Sequence, residues 1–185
     1  MASGSTVLAG GLRLQPAHLG LAAAVGVASL PVYAPLRVAV FFTGDELQEP
    51  GRPALPGQVY NANRYWLVPA LQALGCQVLD LGRVPDRLAD TRQLLRDAGQ
   101  AADVVITCGG VSVGEEDHVK AAVCAEGELQ QWRLAIKPGK PLAFGRVGQA
   151  DFIGLPGNPV AAWVGFAVLV RDFLRARQGE VLAPW

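Results

Sequence analysis

Charge is scarce in this chain, and its two signs cancel. Charged side chains make up 17% of the 185 residues, with 16 acidic groups against 16 basic ones. A broad nucleic-acid surface needs a basic face, so the balance counts against that class. One local cluster of cations can still hold a small anion. Cysteine is also sparse: Cys76, Cys108 and Cys124 are odd in number and widely spaced. That is neither a disulfide framework nor a zinc pattern, and it reads as reduced thiols in a cytoplasmic protein. His18 and His118 are too few and too far apart for a histidine-based metal site. No segment reads as a membrane span, which needs ~20 apolar residues. The nearest, residues 19–32, is interrupted by Gly20, Gly26 and Pro31. Ahead of it stands one firm positive charge, Arg13, where a signal peptide carries several.

What the chain has in quantity is apolar side chains, 51% of the total, together with 22 Gly and 13 Pro. Its length suggests one domain, which buries roughly two-thirds of its unfolded surface. Residues 1–36 differ from the rest, because Arg13 is their one permanent charge. Pro16 near the start and Gly26 at the stop predict a short buried helix between them. So apolar a helix needs a partner surface, whether from this chain, a second subunit or a further domain.

Beyond residue 36 strand and helix alternate. Apolar runs predict strands over 37–42, 77–81, 103–107, 129–136, 142–144 and 151–155. Helical spacing predicts helices over 61–74, 86–98, 115–124 and 160–174. The first contains Pro69, which predicts a kink, and ends before Gly75. The second places Leu88, Thr91, Leu94 and Leu95 on one side. Arginines near the end of the last suit the helix dipole. This order predicts an α/β protein, a three-layer α/β/α stack around a mostly parallel sheet.

Ligands of such folds bind beyond the carboxyl ends of the strands. The unusual residues follow three predicted strands: Thr43-Gly44-Asp45-Glu46, Cys108-Gly109-Gly110-Val111-Ser112-Val113-Gly114-Glu115-Glu116-Asp117, and Pro156-Gly157-Asn158-Pro159. A lone Gly-Gly pair is ordinarily a tight turn. Three such loops at strand ends point to a ligand, since glycine lets the backbone come close and bare amides at helix starts bind anions. Ile136-Lys137-Pro138-Gly139-Lys140-Pro141 is a second constellation. Its lysines could simply be solvated, but a stiff loop carrying two ammoniums suits a small oxyanion. The third is acidic: Asp45, Glu46, Asp80, Asp86, Glu115, Glu116 and Asp117, mostly at the same predicted sheet edge. Carboxylates facing a phosphate repel it unless Mg²⁺ lies between. Together these features suggest magnesium-dependent chemistry on a phosphorylated or adenylylated ligand.

With Gly57-Gln58-Val59-Tyr60-Asn61-Ala62-Asn63-Arg64 added, these stretches occur in the order found in one family. From about residue 8 to 174 the chain resembles the molybdopterin-binding domain of the molybdopterin molybdotransferases, the molybdenum insertases that include the gephyrin E domain. The Thr-Gly-Asp and Gly-Gly loops alone are shared with molybdopterin adenylyltransferases and competence-damage-inducible proteins. The Lys-Pro-Gly-Lys-Pro and Pro-Gly-Asn-Pro loops favour the molybdotransferase.

The resemblance implies insertion of molybdate into adenylylated molybdopterin, with release of AMP in the presence of Mg²⁺. It implies catalytic roles for Asp117, Glu46 and Asp86, with Asp117 and Glu46 at the metal. Lys137, Lys140 and Pro141 would hold molybdate. The pterin and its phosphate would lie against Thr43, Gly44 and Asp45, against Gly109, Gly110, Ser112, Gly114 and Glu115, and against Pro156, Gly157, Asn158 and Pro159. It further implies a cytoplasmic homodimer, with a molybdopterin adenylyltransferase or a molybdoenzyme as partner. Two residues depart from the pattern: Cys108 where Ser is usual, a weaker hydrogen-bond donor, and Arg133 where Lys is common. Family members are also longer, with an elongated N-terminal region, an inserted small domain and a C-terminal β-rich domain. Residues 1–36 are thus expected to be the remnant of a preceding domain, 37–178 the molybdopterin-binding domain, and 179–185 a tail. Ligand binding is expected of such a piece and impaired turnover follows. The alternatives are adenylyl transfer, a non-catalytic scaffold, or an inactive remnant.

Overall fold

Residues 4–110, 118–133 and 141–182 are described in the computed structural model, without the side chains at 131–133 and 141. In chain order the first elements are α1 (Pro16–Ala24), β1 (Arg37–Thr43), β2 (Leu47–Gln48), β3 (Val59–Tyr60), α2 (Ala62–Ala73) and β4 (Gln77–Val84). Then come α3 (Leu88–Ala101), β5 (Val104–Cys108), α4 (His118–Glu126), β6 (Gly127–Arg133), β7 (Pro141–Val147) and β8 (Ala150–Leu155). The chain ends on α5 (Pro159–Gly165), a π turn (Phe166–Val170) and α6 (Arg171–Arg177).

Six strands form one sheet in the order β4-β1-β5-β8-β7-β6 among the described residues. The first four are mutually parallel, and β7 and β6 are antiparallel additions at one side. β1 and β5 are apolar almost throughout because helices cover both faces of the sheet. Alternation along β1 sends Val38, Val40 and Phe42 to one face, where Leu67 and Leu71 of α2 meet Phe166, Val170 and Leu174. Ala39 and Phe41 face the other way, toward Leu95 and Ala98 of α3 and Val119 and Val123 of α4. This is the three-layer α/β/α stack expected of the sequence, with a mostly parallel sheet.

The differences have local causes. The N-terminal helix forms over Pro16–Ala24, as expected, but it is not buried. Ala22 is its buried residue, while Leu19 is 54% exposed. Its small residues give it no one-sided apolar stripe to dock. Leu88 opens α3 and stays exposed, while Thr91 and Leu95 turn inward. α2 continues through Pro69. β2 and β3, two residues each, were not anticipated, because neither is long enough to show a period. The π turn was likewise not foreseen in the predicted helix 160–174. Residues 115–117 and 134–136, read as helix and strand, lie outside the described residues. Among the described residues no helix is long and apolar enough to cross a membrane.

From β1 the chain turns to β4 on one side; from β5 it passes to the other. The strand order therefore reverses between β1 and β5, and a crevice is expected beyond their carboxyl ends.

Candidate functional site

A pocket of about 670 Å³ occupies that crevice. Thr43, Gly44 and Glu46 reach it from the end of β1, and Cys108, Gly109 and Gly110 from the end of β5. Pro156, Gly157, Asn158 and Pro159 follow β8, and Asp86 follows β4. Val59, Tyr60, Asn61 and Asn63 close the rim. Three loops distant in sequence thus meet because their strands are neighbours.

Glycine is required where these loops cross. Gly109 and Gly110 have φ of 97° and 63°, in the left-handed region that suits glycine. A Cβ on Gly109 would fall 2.7 Å from the carbonyl oxygen of Thr43. One on Gly110 would strike the Val119 side chain and come 2.9 Å from Thr43 Oγ1. The Gly109 N–H donates to Leu155 O at 3.0 Å, so the β5 loop is tied to β8. Thr43 itself is 5% exposed, and its Oγ1 has no hydrogen-bond partner among the described residues. A buried hydroxyl left unpaired costs free energy. Thr43 is a lining residue of the pocket, while Thr91 and Thr107, whose hydroxyls are in the same state, are not.

The other loops are held by side chains. Asn158 Oδ1 accepts from Ala161 N–H at 3.0 Å and caps α5. Asn63 Nδ2 donates to Gly157 O at 2.8 Å, and its Oδ1 accepts from Trp66 Nε1 at 3.0 Å. Asn63 thereby fixes the third loop from α2. Asn61 Oδ1 accepts from Arg64 N–H at 3.4 Å at the start of α2, and its Nδ2 donates to Glu49 Oε1 at 3.3 Å. Arg64 pairs with Glu49 at 3.3 Å and with Asp80 at 2.9 Å. The hydrogen bond to Asp80 is the main reason its pKa is raised.

Glu46 sits in a tight turn. Leu47 N–H donates to Gly44 O at 3.1 Å, and Val59 N–H donates to Glu46 O at 2.9 Å. The Glu46 carboxylate folds back over Gly44, within 2.7 Å of where a Cβ would stand. Glu46 and Asp86 are thus both pocket carboxylates, while Asp45 is exposed and does not line the pocket. Asp80, read as part of the acidic edge, instead serves Arg64 within β4. Ser112, Gly114, Glu115, Glu116, Asp117, Lys137 and Lys140 lie outside the described residues, and so does the side chain of Pro141. Asn61, Asn63 and Tyr60 were quoted in a motif but given no role. An Asn just before a helical run is a cap signal that could have marked Asn61.

Cys108 is buried at the pocket floor, and burial pushes its thiol pKa far upward, so it stays neutral. Among the described residues no three His, Cys, Asp or Glu side chains form a metal cluster. Mg²⁺, however, takes one or two carboxylates, keeps several waters and shares the ligand's phosphates. The hard oxygen donors of Glu46 and Asp86 fit that mode. A second cavity, about 700 Å³, lies between the N-terminal segment and the end of α6. Leu12, Tyr33, Leu74 and Gly179 are among its lining residues, and none of the candidate site residues is.

A family model described as a probable molybdopterin binding domain matches residues 39–176. A molybdopterin molybdenumtransferase of Haemophilus influenzae is 46% identical over 177 residues, 96% of this chain and 44% of that protein. Molybdopterin molybdenumtransferase 2 of Mycobacterium tuberculosis is 40% identical, over 97% of this chain and 46% of the relative. The chain thus spans less than half the length of these curated relatives. The crystal structure of the molybdopterin biosynthesis moeA protein from Pyrococcus horikosii superposes with a TM-score of 0.80 at 31% identity. It covers 94% of this chain and 43% of that one. The molybdopterin biosynthesis enzyme MoaB of Thermus thermophilus, at 17% identity and TM-score 0.60, shares the fold.

Proposed function

Because the chain belongs to the molybdopterin-binding domain family, we propose that its pocket binds adenylylated molybdopterin for molybdenum insertion. The carrying observation is the unpartnered Thr43 hydroxyl beside Gly109 and Gly110 at the reversal of strand order. In this reading the glycine backbone and the 156–159 turn receive the pterin and its phosphate. Thr43 Oγ1 hydrogen-bonds a polar atom of that ligand. Lys137 and Lys140, with Pro141, hold molybdate as an oxyanion beside the dithiolene.

The two dithiolene thiols displace oxygen from molybdate, which leaves as water with their protons and at unchanged metal oxidation state, and a water molecule hydrolyses the phosphoanhydride, so AMP leaves and the other phosphate stays on the pterin. Mg²⁺, when bound, neutralises phosphate charge and polarises the phosphorus–oxygen bond. Glu46 and Asp117 would hold it. Asp86 would orient the attacking oxygen, and Ser112, Gly114 and Glu115 complete the cradle. In the full assignment residues 1–36 come from a preceding domain and 179–185 form a tail. The cytoplasm suits its reduced thiols. A homodimer is supported by the exposed apolar side chains of the N-terminal segment, Leu19, Val32 and Tyr33 among them. Molybdopterin adenylyltransferase, which would hand over the adenylylated ligand, or a recipient molybdoenzyme would be its partner.

The test is anaerobic release of AMP from adenylylated molybdopterin with Mg²⁺, with and without molybdate. The expected result is retention of the ligand with slow molybdate-dependent release by this chain, and a further loss of about 100-fold in Asp117→Ala. Equal release by both proteins, or failure of the unaltered chain to retain any molybdopterin species, would overturn the reading.

A further inference from the structure

Strand β4 is irregular just before it delivers Asp86. Val40 of β1 stands opposite Asp80, yet Phe42 stands opposite Arg83, so two residues of β1 face three of β4. The extra residue falls at Leu81–Gly82, where Gly82 has φ of 68° and its N–H donates to Asp80 Oδ1 at 3.0 Å. Such a bulge re-aims the side chains that follow it. Before the bulge, Val78 packs with the core on the α2 face and Leu81 with the core on the α3 face. After it, Val84 again packs on the α3 face, so Arg83 is turned to the α2 face. Uninterrupted alternation from Val78 would put Arg83 on the opposite face.

What Arg83 meets there is the Glu46 turn. Its Nη1 donates to Leu47 O at 3.0 Å and to Asp45 O at 3.4 Å, the carbonyls on either side of Glu46. The intervening carbonyl, of Glu46, is already taken by Val59. Three residues on from Arg83 is Asp86, the other pocket carboxylate. One arginine therefore ties the β1 loop to the strand end that carries the second acid.

We propose that Arg83 is a positioning residue that holds the Glu46 turn, and with it the Glu46 carboxylate as a ligand of a divalent cation, in place beside Asp86. The inference rests on the magnesium-dependent reading above. Arg83 touches no reacting atom; it acts through the backbone of the Glu46 turn. Both bonds come from the one nitrogen Nη1, so a lysine ammonium on its shorter stem can replace part of them, and Arg83→Lys retains part of the effect.

The test uses Mn²⁺ as probe, followed by electron paramagnetic resonance on the full chain with AMP present, together with amide exchange. Arg83→Ala is expected to weaken Mn²⁺ about tenfold and to speed exchange at the Leu47 and Val59 amides. Arg83→Lys should recover part of both, and thermal unfolding should barely move, since Arg83 is exposed. Unchanged Mn²⁺ affinity in Arg83→Ala, with Glu46→Gln losing the ion, would overturn the positioning role and leave the cation reading standing. No Mn²⁺ binding by the unaltered chain would overturn both. Unchanged exchange at Leu47 and Val59 would also contradict the role, whatever the metal does.

Discussion

Thr43 is the residue where the fold and the proposed chemistry meet. Its backbone ends β1, its carbonyl is the reason position 109 must be glycine, and its hydroxyl is buried without a partner among the described residues. Replacing Thr43 by Val exchanges that hydroxyl for a methyl of similar shape. No hydrogen bond to a described residue is lost, so unfolding stability should hold or rise slightly. Affinity for adenylylated molybdopterin should fall about tenfold, one hydrogen bond of ~1.4 kcal/mol. Titration and thermal unfolding of the same variant separate the two effects. Destabilisation with unchanged affinity would remove Thr43 from the ligand. The Thr43, Gly109 and Pro156 loops were legible because glycine and proline at strand ends are visible one residue at a time. The orphaned hydroxyl was not, because burial and missing partners are properties of the assembled sheet. Nor was the aim of Arg83, which depends on one extra residue in β4.

Among the elements, long periodic ones were readable and short ones were not. β1, β4, β5, β8 and helices α2 and α3 announced themselves through apolar runs and helical spacing. β2 and β3 are two residues each and exist because Asn61, Gln48, Glu46 and Val59 bond across the loop. The apolar α1 was expected to be buried, yet composition cannot say whether a partner surface is present. Several elements are joined by ion pairs that make a pH prediction. Arg92 and Arg96 of α3 bind Glu126 of α4 at 2.6 and 2.8 Å. Arg37 of β1 binds Asp103 before β5 at 2.7 Å, and in α6 Arg171 and then Arg175 bind Asp172, Arg175 also binding Glu180. Hydrogen bonds from these arginines hold all four carboxyl pKa values below the ordinary range. A depressed acid adds stability above its unfolded pKa and loses it as pH falls through its folded pKa. Thermal stability should therefore be flat above about pH 5 and drop progressively below it. Melting curves from pH 7 to pH 2 check this. A melting temperature that rises on acidification through that window would contradict the pairings.

At the scale of the whole molecule, two cavities of similar size compete for the role of ligand site. One lies at the reversal of strand order and collects the loops of β1, β4, β5 and β8. The other lies between the N-terminal segment and α6. The fold argument favours the first, because parallel sheets present their loops and free amides at the carboxyl edge. The most direct test is anaerobic amide exchange of the chain with and without adenylylated molybdopterin and Mg²⁺. The account predicts protection at Gly44, Gly110 and Gly157, around the first cavity, with residues 8–14 and 178–180 unchanged. Protection confined to those latter segments, or no protection anywhere, would contradict it.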